Sequence, residues 1–161
     1  MVTVADTSPL NYLVLIEAVE VLRQLYERIC VPEAVIEELR SADAPVLVQK
    51  WAASLPAWVD VHAVADESLN DPRWQALHRG ERAALALATR LKADLILMDE
   101  RMGVAAGRKN GFRMTGTLAT FRRKNSFSAL RRRGRSVTGS FAAMTSGEKK
   151  RPPWGTFLLG R

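Results

Sequence analysis

The sequence predicts an α/β fold, a three-layer α/β/α sandwich with a mainly parallel central sheet. Residues 95–98 form a short, wholly apolar run, which is typical of a strand buried on both faces. Residues 2–5 form a similar run at the start of the chain. Between and after these runs, helix-like apolar spacing alternates with β-rich segments, and this alternation indicates parallel strands joined by helices.

The first half of the chain contains three predicted strands and three predicted helices. Pro32 opens the second helix and Pro56 ends the third, because proline has no backbone N–H for a helix interior. In order, these elements are a strand at 2–5, a helix capped by Ser8 that reaches Leu22, a strand at 29–31, a helix at 32–39, a helix at 44–55 and a half-exposed edge strand at 58–64.

The second half repeats the alternation. Gly80 and Glu81 open its clearest helix, and Gly111 follows another helix as a usual C-terminal cap. In order, these elements are a loop at 66–78 with about one helical turn, a helix at 82–91, the central strand at 95–98, a helix at 103–110, a strand at 112–115 and a final helix from Gly116 toward Lys124.

Charge is divided unevenly along the 161 residues, which carry a net charge of +7. Residues 1–121 hold 13 basic and 16 acidic side chains, whereas residues 122–161 hold 11 basic side chains and one acid. We therefore expect one domain over residues 1–125 and a basic, poorly ordered tail over 126–161. Such a tail either contacts a polyanion or is only a solvated arm.

Other features restrict the class of protein. No apolar run is long enough to span a bilayer, and the first residues do not resemble a signal peptide, so we expect no membrane association. The single cysteine, Cys30, allows no internal disulfide and fits a reducing, cytoplasmic compartment. His62 and His78 lack ligand-spaced partners for zinc, and neither a dinucleotide fingerprint nor a Walker A motif is present.

Acidic residues follow both apolar strands. Asp6 comes directly after the first strand and Asp99 after the central strand, so a parallel sheet brings both to its carboxyl edge. Glu38 on the second helix and Glu81 at the start of the fourth are the other candidates. Carboxylates are the ligands that Mg²⁺ prefers, and a metal-bound water is a strong nucleophile for phosphodiester hydrolysis.

Each candidate also has a purely structural interpretation. Glu81 would stabilise a helix start through the helix dipole, and Asp6 or Asp99 would serve as a cap or turn residue. Glu38 and its neighbour Glu37 would form a solvated helix face. The functional interpretation is stronger for the set than for any member, because Asp6 and Asp99 both terminate apolar strands.

Five stretches, in this order, resemble a PIN domain, most closely the VapC-like branch found in prokaryotic toxin–antitoxin modules. They are residues 6–10 (DTSPL), 31–39 (VPEAVIEEL), 80–88 (GERAALALA), 93–101 (ADLILMDER) and 116–118 (GTL). The resemblance implies a Mg²⁺- or Mn²⁺-dependent endoribonuclease whose metal-binding and catalytic acids are Asp6, Glu38, Glu81 and Asp99. It further implies an RNA substrate, a small antitoxin partner and a possible homodimer.

Smaller features remain open. The family places a hydroxyl residue near the metal, which Thr7 or Ser8 would supply, and Arg101 is either a phosphate contact or a solvated charge. Residues 126–161 depart from the apolar, helical ending of related domains, as a frameshifted or decayed end would. The alternative function is therefore a non-catalytic PIN-like module that binds RNA or a protein partner and uses the basic tail as an electrostatic arm.

Overall fold

One five-stranded sheet, parallel throughout, forms the centre of the computed structural model, which describes residues 1–123. The strand order is β3-β2-β1-β4-β5. The strands are β1 (Thr3–Ala5), β2 (Ile29–Pro32), β3 (Val59–His62), β4 (Leu95–Leu97) and β5 (Met114–Thr115). The predicted α/β class is confirmed, and the predicted edge strand, β3, lies at the edge of the sheet.

Helices connect these strands. They are α1 (Thr7–Leu15), α2 (Glu20–Tyr26), α3 (Glu33–Arg40), α4 (Val46–Ala53), α5 (Asp66–Leu69), α6 (Arg79–Leu91), α7 (Arg101–Lys109) and α8, which is helical over 117–123. The predicted loop at 66–78 contains α5 and a 3₁₀ turn at Pro72–Trp74. The predicted end of the last helix at Lys124 and the predicted tail at 126–161 lie outside the described residues.

The prediction of one continuous helix from Ser8 to Leu22 is wrong. Glu17 has a φ of 54°, and the amides of Glu17 and Ala18 donate back to the carbonyls of Val14 and Leu13. This pattern is a helix-ending motif that usually contains glycine, so the sequence carried no signal for it. The break lets both α1 and α2 turn their apolar faces into the same core.

Each face of the sheet buries its own apolar core. Ala5, Ile29 and Leu97 lie in the core beneath α1 to α4. Val4 and Ile96, their neighbours along the strands, pack in the core that α6 covers. Because successive strand residues point to opposite faces, this alternation places helices on both sides of the sheet, as predicted.

The strand order reverses between β1 and β4. From β1 the chain moves outward to β2 and β3, then returns to β4 on the other side of β1. The amide of Asp6 donates to the carbonyl of Leu97 at 3.0 Å, so the two strands remain paired up to their carboxyl ends. In open α/β sheets, the crevice beside such a reversal is where ligands bind.

Candidate active site

A cavity of about 200 Å³ opens at the carboxyl edge of the sheet, next to the point where the strand order reverses. The α1 start, the α3 end and the α6 start form its walls. Its lining residues are Asp6, Thr7, Ser8, Glu38, His78, Gly80, Glu81 and Glu100. Three of the four predicted acids therefore share one cavity, and so do both candidate hydroxyl residues.

Asp6 lies at the N-cap position of α1 and is only 2% exposed. Its Oδ1 atom has no hydrogen-bond partner among the described residues. Burial is the largest cause that raises the pKa of this carboxyl from 3.8 to about 7, against the lowering effect of the Thr7 backbone N–H. The negative charges of Glu81, Glu38 and Asp99 raise it further.

Glu81 occupies the first turn of α6 and is 5% exposed. Its Oε2 accepts a hydrogen bond from the His78 backbone N–H at 2.9 Å, so the residue does stabilise the helix start. Its Oε1, however, is buried and unpartnered among the residues that the structure describes. The structural and functional interpretations of Glu81 thus apply to different oxygen atoms of one carboxylate.

Glu38 reaches the cavity from the last turn of α3 and is half-buried. The Thr7 hydroxyl donates to its Oε2 at 2.5 Å. Glu37, the adjacent acid, does not line the cavity and pairs instead with Arg79 at the surface. The structure therefore distinguishes the two glutamates, and Glu38 is the one that lines the cavity.

Asp99 follows β4 and is exposed. The Thr117 backbone N–H donates to its Oδ1 at 2.8 Å, and the Thr117 hydroxyl donates to its Oδ2 at 2.5 Å. Asp99 does not line the cavity, but its charge acts on Asp6. The start of α8 therefore fixes the fourth predicted acid beside the other three.

Three glycines let backbone approach the acids closely. A Cβ atom on Gly80 would lie 2.7 Å from Glu38 Oε2, and one on Gly103 would lie 2.6 Å from Glu81 Oε1. A Cβ on Gly116 would contact Asp99 Oδ1. Gly80 and Gly116 stand directly before Glu81 and Thr117 in the sequence, and this proximity was an available signal for where the helix starts meet the carboxylates.

Two further cavity residues were not among the predicted site residues. His78 and Glu100 line the cavity, and the only statement that the sequence supports about either is that His78 lacks a ligand-spaced partner for zinc. Spacing along the chain detects them poorly, because α6 and the β4–α7 connection meet only in the folded protein. As the side chains stand, no three acidic, histidine or cysteine residues within 1–123 form a group that could hold a metal ion. The two unpartnered carboxylate oxygens nevertheless have the chemistry of cation ligands.

Comparisons with known proteins agree with this architecture. A comparison with curated protein sequences gives no match. Within residues 1–123, no helix is long and apolar enough to cross a membrane. A family model described as DUF3368, PIN domain, matches residues 2–130, about four-fifths of the chain and all the predicted site residues. The chain therefore belongs to the PIN domain family.

Proposed function

We propose that this protein is a metal-dependent endoribonuclease and the cytoplasmic toxin of a toxin–antitoxin module. PIN domains are generally nucleases that use divalent metal ions and bind RNA. The strongest support from this chain is a pair of buried carboxylate oxygens, on Asp6 and Glu81, that lack partners within the described residues. Leaving such atoms buried is costly unless a ligand compensates them.

Asp6, Glu38, Glu81 and Asp99 are the proposed ligands of Mg²⁺ or Mn²⁺. Burial is the largest cause of the raised pKa of Asp6, and the negative charges of the other three acids raise it further. A divalent cation would offset both the burial cost and the repulsion. When bound, the ion makes water a better nucleophile and offsets the charge that develops on the phosphodiester. In the hydrolysis, the water oxygen would bond to phosphorus, the bond from phosphorus to the leaving oxygen would break, and that oxygen would take up a proton that the water gives up, leaving a hydroxyl on one fragment and a phosphate on the other.

The chain's own hydrogen bonds orient these groups. Thr7 holds Glu38, Thr117 holds Asp99, and the His78 backbone holds Glu81. Glu38 and Glu81 each accept through Oε2, and Asp99 accepts through both of its carboxylate oxygens. Such second-layer contacts fix the direction of metal ligands and are worth about 10- to 100-fold in metal affinity or activity.

An antitoxin and a second copy of the chain are the proposed partners. Helices α1 and α4 pack against each other. Five large apolar side chains on these helices or directly after α1 are exposed: Tyr12, Leu15, Ile16, Val46 and Leu47. These residues support a protein-binding surface. The basic segment 122–161 supports contact with RNA phosphates.

Cleavage of a labelled single-stranded RNA tests the proposed activity. We expect Mg²⁺-dependent cleavage by the full chain, abolished by EDTA, and a loss of at least about 100-fold in Asp6→Asn and in Glu81→Gln. Asp60→Asn is the matched control, because Asp60 is an exposed carboxylate paired with Arg28 away from the cavity. Equal cleavage by folded Asp6→Asn and wild-type protein would contradict the assignment.

A further inference from the structure

An exposed ion pair joins α3 to the first residue of α6, next to residues that line the acidic cavity. Arg79 Nη1 lies 2.7 Å from Glu37 Oε2, with side chains 56% and 53% exposed. The residues on both sides of Arg79, His78 and Gly80, line the cavity. The pair therefore belongs to the rim of the site, although neither member lines the cavity itself.

The contact between α3 and α6 fixes the position of the Arg79–Glu37 ion pair beside the cavity. Gly80 packs so closely against Glu38 that an added Cβ would lie 2.7 Å from its Oε2 atom. Glu37 and Arg79 are the neighbours of these two residues in sequence. The guanidinium is thus anchored one residue from the place where α6 meets a cavity carboxylate.

Charge at the cavity calls for a cation of this kind. The four carboxylates that line the cavity are those of Asp6, Glu38, Glu81 and Glu100. Their negative charges repel the phosphates of an approaching RNA strand. Arg79 lies in the first turn of α6, where the helix dipole also favours an anion. A guanidinium binds phosphate through two parallel hydrogen bonds, which a lysine cannot reproduce.

The bond that Arg79 now makes is easily exchanged. An ion pair this exposed contributes little free energy, because water solvates both partners when they separate. Within the described residues, only Nη1 of the guanidinium donates a hydrogen bond. A phosphate group offers the same acceptor chemistry as Glu37 and carries the charge of the RNA strand.

We propose that Arg79 binds a backbone phosphate of single-stranded RNA at the cavity mouth, and that Glu37 competes with the RNA for this arginine. This inference rests on the proposed function, since it concerns how the same site receives its substrate. Arg79 is accordingly a positioning residue, and Glu37 weakens RNA binding in the free protein.

Opposite effects of the two partners test the proposal. Binding of a fluorescein-labelled single-stranded RNA of about ten nucleotides is measured by anisotropy, with the full chain in EDTA, over a range of salt concentrations. We expect Arg79→Gln to raise the Kd about fivefold and to make the salt slope shallower by about 0.7, the value for one phosphate of a single strand. We expect Glu37→Gln to lower the Kd by about two- to fivefold, because it frees the arginine.

Asp60→Asn is the matched control for Glu37→Gln. It also removes one exposed negative charge and frees an arginine, Arg28, but Arg28 precedes β2 and so lies at the amino edge of the sheet. We expect its Kd to stay within about 1.5-fold of the wild-type value, since long-range charge effects are screened by salt. A purely structural ion pair would instead give weaker binding, or unchanged binding, in both Arg79→Gln and Glu37→Gln.

Either of those patterns would overturn the role of Arg79, and so would equal tightening in Glu37→Gln and Asp60→Asn. Thermal unfolding of each variant checks that the domain still folds. Failure of the proposed function is distinguishable, because it appears as an absence of RNA cleavage and RNA binding in the wild-type chain. RNA binding by wild type with no response to either rim substitution would reject only the inference about Arg79.

Discussion

The four acids of the candidate site divide into two pairs with different surroundings. The inner pair, Asp6 and Glu81, is buried and has one unpartnered oxygen on each side chain within the described residues. The outer pair, Glu38 and Asp99, is half-buried or exposed, and a threonine hydroxyl holds each carboxylate at 2.5 Å. The fold therefore orients the outer pair with threonine hydrogen bonds and leaves one oxygen of each inner carboxylate without a partner among the described residues.

This difference shows which groups serve stability and which do not. A carboxylate at the surface that accepts a hydrogen bond from a hydroxyl does not destabilise the folded protein. A buried carboxylate with a raised pKa, such as Asp6, destabilises the folded protein near neutral pH. Such groups are found at sites where binding of a ligand or a reaction compensates the destabilisation. Substitutions at four positions, Asp6, Thr7, Thr117 and Gly103, distinguish the inner pair from the outer pair.

Removing the charge of Asp6 should stabilise the protein in the absence of metal. Because the folded-state pKa of about 7 lies above the ordinary value of 3.8, the folded protein keeps a proton that the unfolded chain releases. This group's contribution is therefore most favourable below about pH 4 and falls as pH rises through about 7. Above about pH 7, the raised pKa of Asp6 lowers the free energy of unfolding by about 4 kcal/mol relative to a carboxyl with the ordinary pKa. Asp6→Asn should remove this penalty.

Urea unfolding in EDTA, from about pH 5 to 8, measures this effect. The free energy of unfolding of Asp6→Asn should exceed that of wild type increasingly toward pH 8. Asp60→Asn is again the control, because that exposed carboxylate forms an ion pair with Arg28 and should lose a little stability. If the difference in unfolding free energy between Asp6→Asn and wild type did not change with pH, the pKa of Asp6 would not be raised in the folded protein.

Removing a hydroxyl from the outer pair should weaken activity without stabilising the protein. Thr7→Val and Thr117→Val keep the side-chain shape but lose the donor to Glu38 or Asp99, so we expect about tenfold slower RNA cleavage, near the lower limit for second-layer contacts. Thr7→Ser and Thr117→Ser retain a hydroxyl and should restore most of the rate. Equal rates in the valine and serine variants would show that the hydroxyls do not orient the acids.

Enlarging Gly103 should give the smallest effect, a loss of about 1 kcal/mol in unfolding free energy together with reduced cleavage. The added methyl group would press on Glu81 and Met98, whose side-chain tips can move partly aside. Gly107→Ala is the matched control on α7, since its methyl group would press on Met114 and not on an acid. We expect similar stability losses in the two variants but a loss of cleavage only in Gly103→Ala.

Much of the fold followed from local pattern. Short, mainly apolar runs identified the buried strands, and helical spacing identified most helices, because burial imposes both patterns on a sequence. The first helix shows the limit of this reasoning. Its apolar stripe continues past the break at Glu17, and only the folded backbone shows the left-handed residue that separates α1 from α2.

The candidate site was predicted less completely. Asp6 and Asp99 were predictable because each follows a strand, and parallel strands must end at a common edge. Glu38 and Glu81 were assigned by resemblance, and the structure brings both into the cavity with Asp6. Their roles as metal ligands remain predictions. The contributions of His78 and Glu100 to the cavity, and of Arg79 to its rim, depend on contacts between elements that are distant in sequence.

Residue type and order are enough to predict the class of fold, the strand-end positions of two acids and the basic character of residues 122–161. The folded arrangement is needed to show which carboxylate oxygens lack partners within residues 1–123 and which glutamate lines the cavity. Burial and hydrogen bonding are set by neighbours from other elements: Thr7 beside Glu38, Thr117 beside Asp99, and Gly103 beside Glu81. These contacts turn four separate acids into one site.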